Sequence, residues 1–101
     1  MKSWSVCETK EIGGEAVSIP ILSFENREAA FDHFDRCVEV ETEELDAPYM
    51  REIGGRTEIF LEACDNVLGV GGDVIRHATV KRPLHSPHSM VCYHGGDDAE
   101  T

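Results

Sequence analysis

The chain has 101 residues, enough to close one hydrophobic core and too few for two. Its 41% apolar and 29% charged residues are the composition of a folded domain and exclude wholesale disorder. A net charge of −11 argues against direct contact with nucleic acid or an anionic membrane and favours basic partners or cations.

The charge is uneven. Residues 1–38 carry seven acids and four bases, residues 39–66 nine and two, residues 67–94 one and three, and residues 95–101 three and none. His77, His85, His88 and His94 all fall in the mildly basic late segment. Acidity also serves solubility or a salt-rich cytoplasm, so its clustering is more informative than its total. The start of the chain lacks the apolar run of a secretory signal, and no stretch reaches the roughly 18–20 apolar residues of a membrane span. A cytoplasmic protein is expected. Cys7, Cys37, Cys64 and Cys92 are far apart with no Cys-x-x-Cys pair, the pattern of reduced, mostly buried thiols.

In chain order, residues 4–12 and 15–24 flank Gly13-Gly14, which tolerates the positive φ of a tight turn and predicts a β-hairpin. Pro20 cannot donate to a ladder, so the second arm is expected at an edge or with a bulge. Asn26 is a suitable N-cap for a helix over residues 27–39, with Ala30, Phe31, Phe34, Cys37 and Val38 at helical spacing. Residues 41–56 read as an acidic connection punctuated by Pro48 and Gly54-Gly55. Alternation over residues 57–64 predicts a half-buried strand, and turns at Asp65-Asn66 and Gly71-Gly72-Asp73 delimit further strands over 67–70 and 74–81. The tetrapeptide Glu-Ile-Gly-Gly occurs at 11–14 and again at 52–55, which reads as two similar turns because the flanks diverge. Residues 1–94 form the expected domain and 95–101 an acidic tail.

The order hairpin, helix, meander predicts an α+β fold, ββαβββ, with one amphipathic helix on one face of an antiparallel sheet. A single helix cannot cover both faces, so the other is expected to meet a partner, a second copy included, or to stay polar.

Two groups of residues suggest function. His85, His88, Cys92 and His94 offer imidazole and thiolate ligands for zinc or a similar divalent metal, with Arg76 and Arg82 nearby for an anion, although the spacing fits no standard zinc module and the prolines suggest a loop. Gly69-x-Gly71-Gly72 is not a phosphate cradle, because a strand and not a helix follows it. Asp32, Asp35, Glu39, Glu41, Glu43, Glu44 and Asp46 form an acidic band along the helix and beyond, resembling in outline the charge row of a nucleic acid. No carboxylate pair or nucleophile–base set stands out as catalytic. The expectation is a non-enzymatic binding protein that occupies a basic protein surface, as inhibitors and nucleic-acid mimics do. The alternative is a small-molecule or metal-binding domain, dimeric in one version, built on the late histidines.

Overall fold

The computed structural model describes residues 2–65 and 72–94. The elements are β1 (Ser3–Ile12), β2 (Glu15–Val17), β3 (Leu22–Phe24), α1 (Arg27–Leu45), a 3-10 turn over Pro48–Glu52, β4 (Gly55–Cys64), β5 (Asp73–Arg82) and β6 (Met90–His94). All pairings are antiparallel, in the order β2-β1-β4-β5-β6, with β3 also beside β1. The fold is α+β, with one main helix packed on a six-stranded sheet. Among the described residues no helix is long and apolar enough to cross a membrane.

The core lies between α1 and the facing side of the sheet. Ala30, Phe34, Val38 and Leu45 come from the helix, and Val6, Ile59, Leu61, Ala78 and Val80 from the three central strands. Met50, on the 3-10 turn, closes one end. The helix starts as its sequence requires: the Asn26 carboxamide oxygen accepts the Ala29 N–H at 3.0 Å.

The second arm of the hairpin is an edge and also carries a bulge. Lys10 pairs with Val17, but Val6 pairs with Leu22, so Ser18–Ile21 places four residues opposite three of β1. The extra residue around Pro20 divides the arm into β2 and β3 and keeps Val17 and Leu22 on the same side of the sheet. A second bulge lies in β5. Leu61 pairs with Arg76 and Glu62 with Val74, so Ile75 is the extra residue, and it packs against the core.

Three expectations change. The helix runs to Leu45, so Glu41, Glu43 and Glu44 are helical and not part of a connection. Residues 90–94 form β6, although the prolines upstream suggested a loop. The meander is therefore β4-β5-β6; the strand expected at 67–70 and the tail at 95–101 lie outside the described residues. All four cysteines are free, with Cys37 and Cys64 buried, Cys7 half-buried and Cys92 exposed.

The repeated tetrapeptide acquires a structural meaning. Ile12 pairs with Gly55, and the Gly13 N–H donates to the Gly54 carbonyl at 3.1 Å, so the two turns abut. Gly13 and Gly54 both sit at positive φ, 59° and 75°, where a side chain is strained.

Arg82 locks the helix to the sheet. It is 3% exposed, and its guanidinium donates to the carbonyls of Leu45 (2.8 Å), Ala47 (2.8 Å), Ser86 (3.0 Å) and Pro87 (3.1 Å). The last turn of α1 has no basic residue of its own, so Arg82 supplies from β5 the cation that a helix C-terminus favours. It is thereby occupied, and does not serve as the free anion ligand its sequence position suggested. Replacing Arg82 with Leu strands several buried carbonyls and is expected to cost about 3 kcal/mol of stability, read as a lower urea midpoint at unchanged slope.

Candidate functional site

A helix places residues three or four apart on one side, and α1 separates its carboxylates accordingly. Asp32, Asp35, Glu39 and Glu43 follow Glu28 along the outward face, and Asp46 continues the line at the C-cap. Asp35 is ion-paired with Arg76 at 3.3 Å, and Asp46 accepts the Ser89 N–H at 2.7 Å. That hydrogen bond holds the Asp46 carboxyl below its ordinary range. Among the described residues Asp32, Glu39 and Glu43 have no ion-pair partner.

Glu41 departs from the expected band. It is 7% exposed and points into the helix–sheet interface, where it meets the Lys10 ammonium at 2.9 Å and accepts the Thr57 hydroxyl at 3.2 Å. It cannot reach an external surface in this fold. Glu44 lies at the flank of the helix, half-turned toward the sheet, and also pairs with Lys10. The band expected from sequence is thus an outward ridge of Asp32, Asp35, Glu39, Glu43 and Asp46, with Glu44 at its side and Glu41 beneath it.

The electrostatics follow the geometry. Burial pushes the Glu41 carboxyl above the usual carboxylate range; Lys10 opposes that shift, and repulsion from Glu8 and Glu44 adds to it. Hydrogen bonding to Lys10 holds Glu44 below that range. Burial works against the Lys10 ammonium, but its hydrogen bonds to Glu44 and Glu41 outweigh burial and raise it. Nearby, Cys37 touches His33 Nε2 at 3.4 Å, yet burial first and Glu8 second push its thiol up to about 12. Cys37 is therefore a neutral core thiol and not an activated nucleophile.

The sequence quartet for a metal does not assemble. His85 sits in the loop after β5 at φ 69°, with Nδ1 at 3.5 Å from Glu52, and His88 lies beside Ser89. Cys92 and His94 do point to one side of β6, as strand alternation requires. The strand, however, carries His94 roughly 13 Å beyond Met90 and away from the loop. Among the described residues no three His, Cys, Asp or Glu side chains come together to hold a metal ion.

Instead, His94 belongs to the face of the sheet opposite α1. Register aligns Cys7, Phe60, His77 and His94 in one row across four strands. The rings of Phe60 and His77 stack at 4.2 Å, as do those of His77 and His94. Glu58 accepts from or pairs with His77 Nε2 at 2.9 Å and is itself braced by Arg56 at 2.8 Å. The Thr79 hydroxyl meets His94 Nε2 at 2.7 Å. This face is half-polar and internally bonded, which accounts for how it tolerates the lack of a covering helix.

Of the two cations that neutralise individual acids of the helix, sequence reasoning missed Lys10 and gave Arg76 a different role, as an anion ligand beside the late histidines. Lys10 was detectable in principle: Trp4, Val6, Glu8, Lys10 and Ile12 share one side of β1, so a charged pair interrupts an otherwise buried alternation. Arg76 was not, because its position opposite Phe31 and Asp35 depends on the β5 bulge.

No protein-family model, curated protein or solved structure matches this chain.

Glu41 gives a signed pH dependence. Because its folded value is raised, its contribution to stability is full below the ordinary value of 4.5 and is lost as pH rises through the folded value. Glu41→Gln, which keeps an acceptor for Thr57, is therefore expected to gain stability relative to the native chain as the pH is raised from acid toward neutrality. Denaturation midpoints of both proteins across that range check the sign.

Proposed function

We propose that this protein is a non-enzymatic binding protein that lays the outward carboxylates of α1 along a basic surface of another protein. The observation that carries the reading is the stripe of Asp32, Glu39 and Glu43, exposed on one side of a single helix and, among the described residues, held in no ion pair. Asp35, Glu44 and Asp46 flank it as partly neutralised acids.

The helix arrangement is also costly as a purely structural device. Glu28 with Asp32, Asp35 with Glu39, and Glu39 with Glu43 are like-charged at i,i+4 spacing, each destabilising by some tenths of a kcal/mol. Only Asp32 with Arg36 is favourable at that spacing on the same face. A helix selected for stability alone alternates the signs. Retaining repulsion on an exposed face is consistent with a surface kept for a partner that supplies the opposite charge.

Spacing narrows the partner. Charges along the ridge recur about every 5 Å, given a pitch of 5.4 Å per turn. Duplex DNA presents one charge per about 1.7 Å of axis when both strands are counted. The ridge is thus a sparse mimic, better matched to a line of separated lysines and arginines, such as one wall of a nucleic-acid groove, than to a densely basic channel. Association is driven by long-range attraction and weakens with salt, because exposed charges are screened over about 8 Å at physiological ionic strength.

The test combines three substitutions, Asp32→Lys, Glu39→Lys and Glu43→Lys. Pull-down from native cell extract at low salt is expected to lose the bound partner, which high salt also releases from the native protein. Glu39→Lys alone is expected to raise stability by about 0.5 kcal/mol, since it converts two repulsive pairs into attractive ones. Capture that is indifferent to both salt and charge reversal would reject the ridge as the contact.

A further inference from the structure

The two edges of the sheet differ in kind. At one, the outer chain is broken around Pro20 into two three-residue strands, slips register by one residue and carries Glu15. These are devices that deny a flat ladder to another chain. At the other edge β6 has none of them. Met90-Val91-Cys92-Tyr93-His94 contains no proline, glycine, lysine or acid, is exposed throughout, and among the described residues pairs with β5 alone. Val91 and Tyr93 are strong strand formers.

We propose that β6 is a self-association edge: two copies of the chain join β6 to β6, antiparallel about a two-fold axis through Cys92, and merge their sheets. The strand is self-complementary in that register. Val91 of each copy faces Tyr93 of the other, a β-branched residue against an aromatic ring, and Met90 faces His94. Val91 and Tyr93 are 39% and 63% exposed, so both have surface to lose. A two-fold axis perpendicular to the sheet keeps both helices on the same side, so Val91 and Tyr93 meet side to side without any change of face.

Charge selects a second copy as the occupant. Two chains of −11 repel, and their contact belongs where carboxylates are absent. Residues 74–94 contain no Asp or Glu. Of the three cations there, Arg82 is bound to four carbonyls and Arg76 is paired with Asp35, which leaves Lys81, opposite Met90, as the cation beside the edge without an ion-pair partner among the described residues. The strand itself carries no Lys, Arg, Asp or Glu, which suits backbone pairing. In the dimer the two acidic ridges lie on one side of a continuous sheet, and a partner with two basic patches gains from both.

Sedimentation equilibrium of the full chain is expected to give twice the 11.2 kDa chain mass, and Val91→Lys with Tyr93→Lys to return it to the single-chain value with an unchanged far-ultraviolet circular dichroism spectrum. Oxidation with diamide, which takes two electrons and two protons from the paired thiols, is expected to give a covalent dimer that Cys92→Ser abolishes without lowering the sedimentation mass. If the double lysine variant fails to fold, amide exchange of the native chain decides, with β6 amides expected to slow as concentration rises. A single-chain mass at every concentration, a dimer that survives the folded double substitution, absence of the Cys92 crosslink, or β6 exchange independent of concentration overturns the proposal.

Discussion

The end of α1 is held to the sheet by one buried guanidinium. The helix ends among Glu43, Glu44 and Asp46, where its own dipole is already negative, and it carries no cation in its last turn to compensate. Arg82 reaches across from β5 and donates to carbonyls on both the helix end and the loop after β5. Burying a cation without a carboxylate partner is expensive, and the four carbonyl acceptors are what make it tolerable. The inward stripe of Ala30, Phe34, Val38 and Leu45 sets which side of the helix looks outward, and Arg82, thirty-seven positions past Leu45, pins the end of the helix in that orientation.

Glutamates on this one helix do opposite things according to angle. Those on the outer side remain hydrated and uncompensated, free to act at long range. Glu41, two residues beyond Glu39, is turned inward and is engaged by Lys10 and Thr57. A buried carboxylate in an apolar seam is tolerated only when paired and hydrogen-bonded, and Lys10 on β1 and Thr57 on β4 meet that condition from adjacent strands. This polar seam also extends the helix. With Glu41 satisfied, the inward stripe continues from Val38 to Leu45, and Leu45 packs over Gly55 at the start of β4, where any side chain would collide with it.

The sheet distributes risk in a comparable way. On the face opposite α1, the Phe60, His77 and His94 stack and the contacts of Glu58, Arg56 and Thr79 bond the side chains to one another. One edge is bulged and interrupted, and the other is regular. Charge is also segregated: the helix concentrates carboxylates, and residues 74–94, which include β6 and all of β5 after Asp73, contain none. The surfaces proposed for a basic partner and for a second copy thus lie apart on the same small domain.

Local chemistry made the fold class legible. The Gly13-Gly14 turn wrote β1, alternation wrote β4, helical periodicity with an Asn26 cap wrote the start of α1, and Pro20 marked its arm as an edge or a bulge, because each of these depends only on near neighbours. The outward acids Asp32, Asp35, Glu39 and Glu43 were legible for the same reason, since helical spacing alone puts them on one side. What the sequence could not reveal was every feature that needs a partner distant in the chain. Glu41 looked like one more surface acid until Lys10 and Thr57 surrounded it, β6 looked like a loop until β5 supplied its ladder, and the late histidines looked like one cluster until the strand carried His94 away. Burial and counter-charge are set by groups brought together from far along the chain, so tertiary structure alone decided which acids are free, which arginines are occupied and which edge is open.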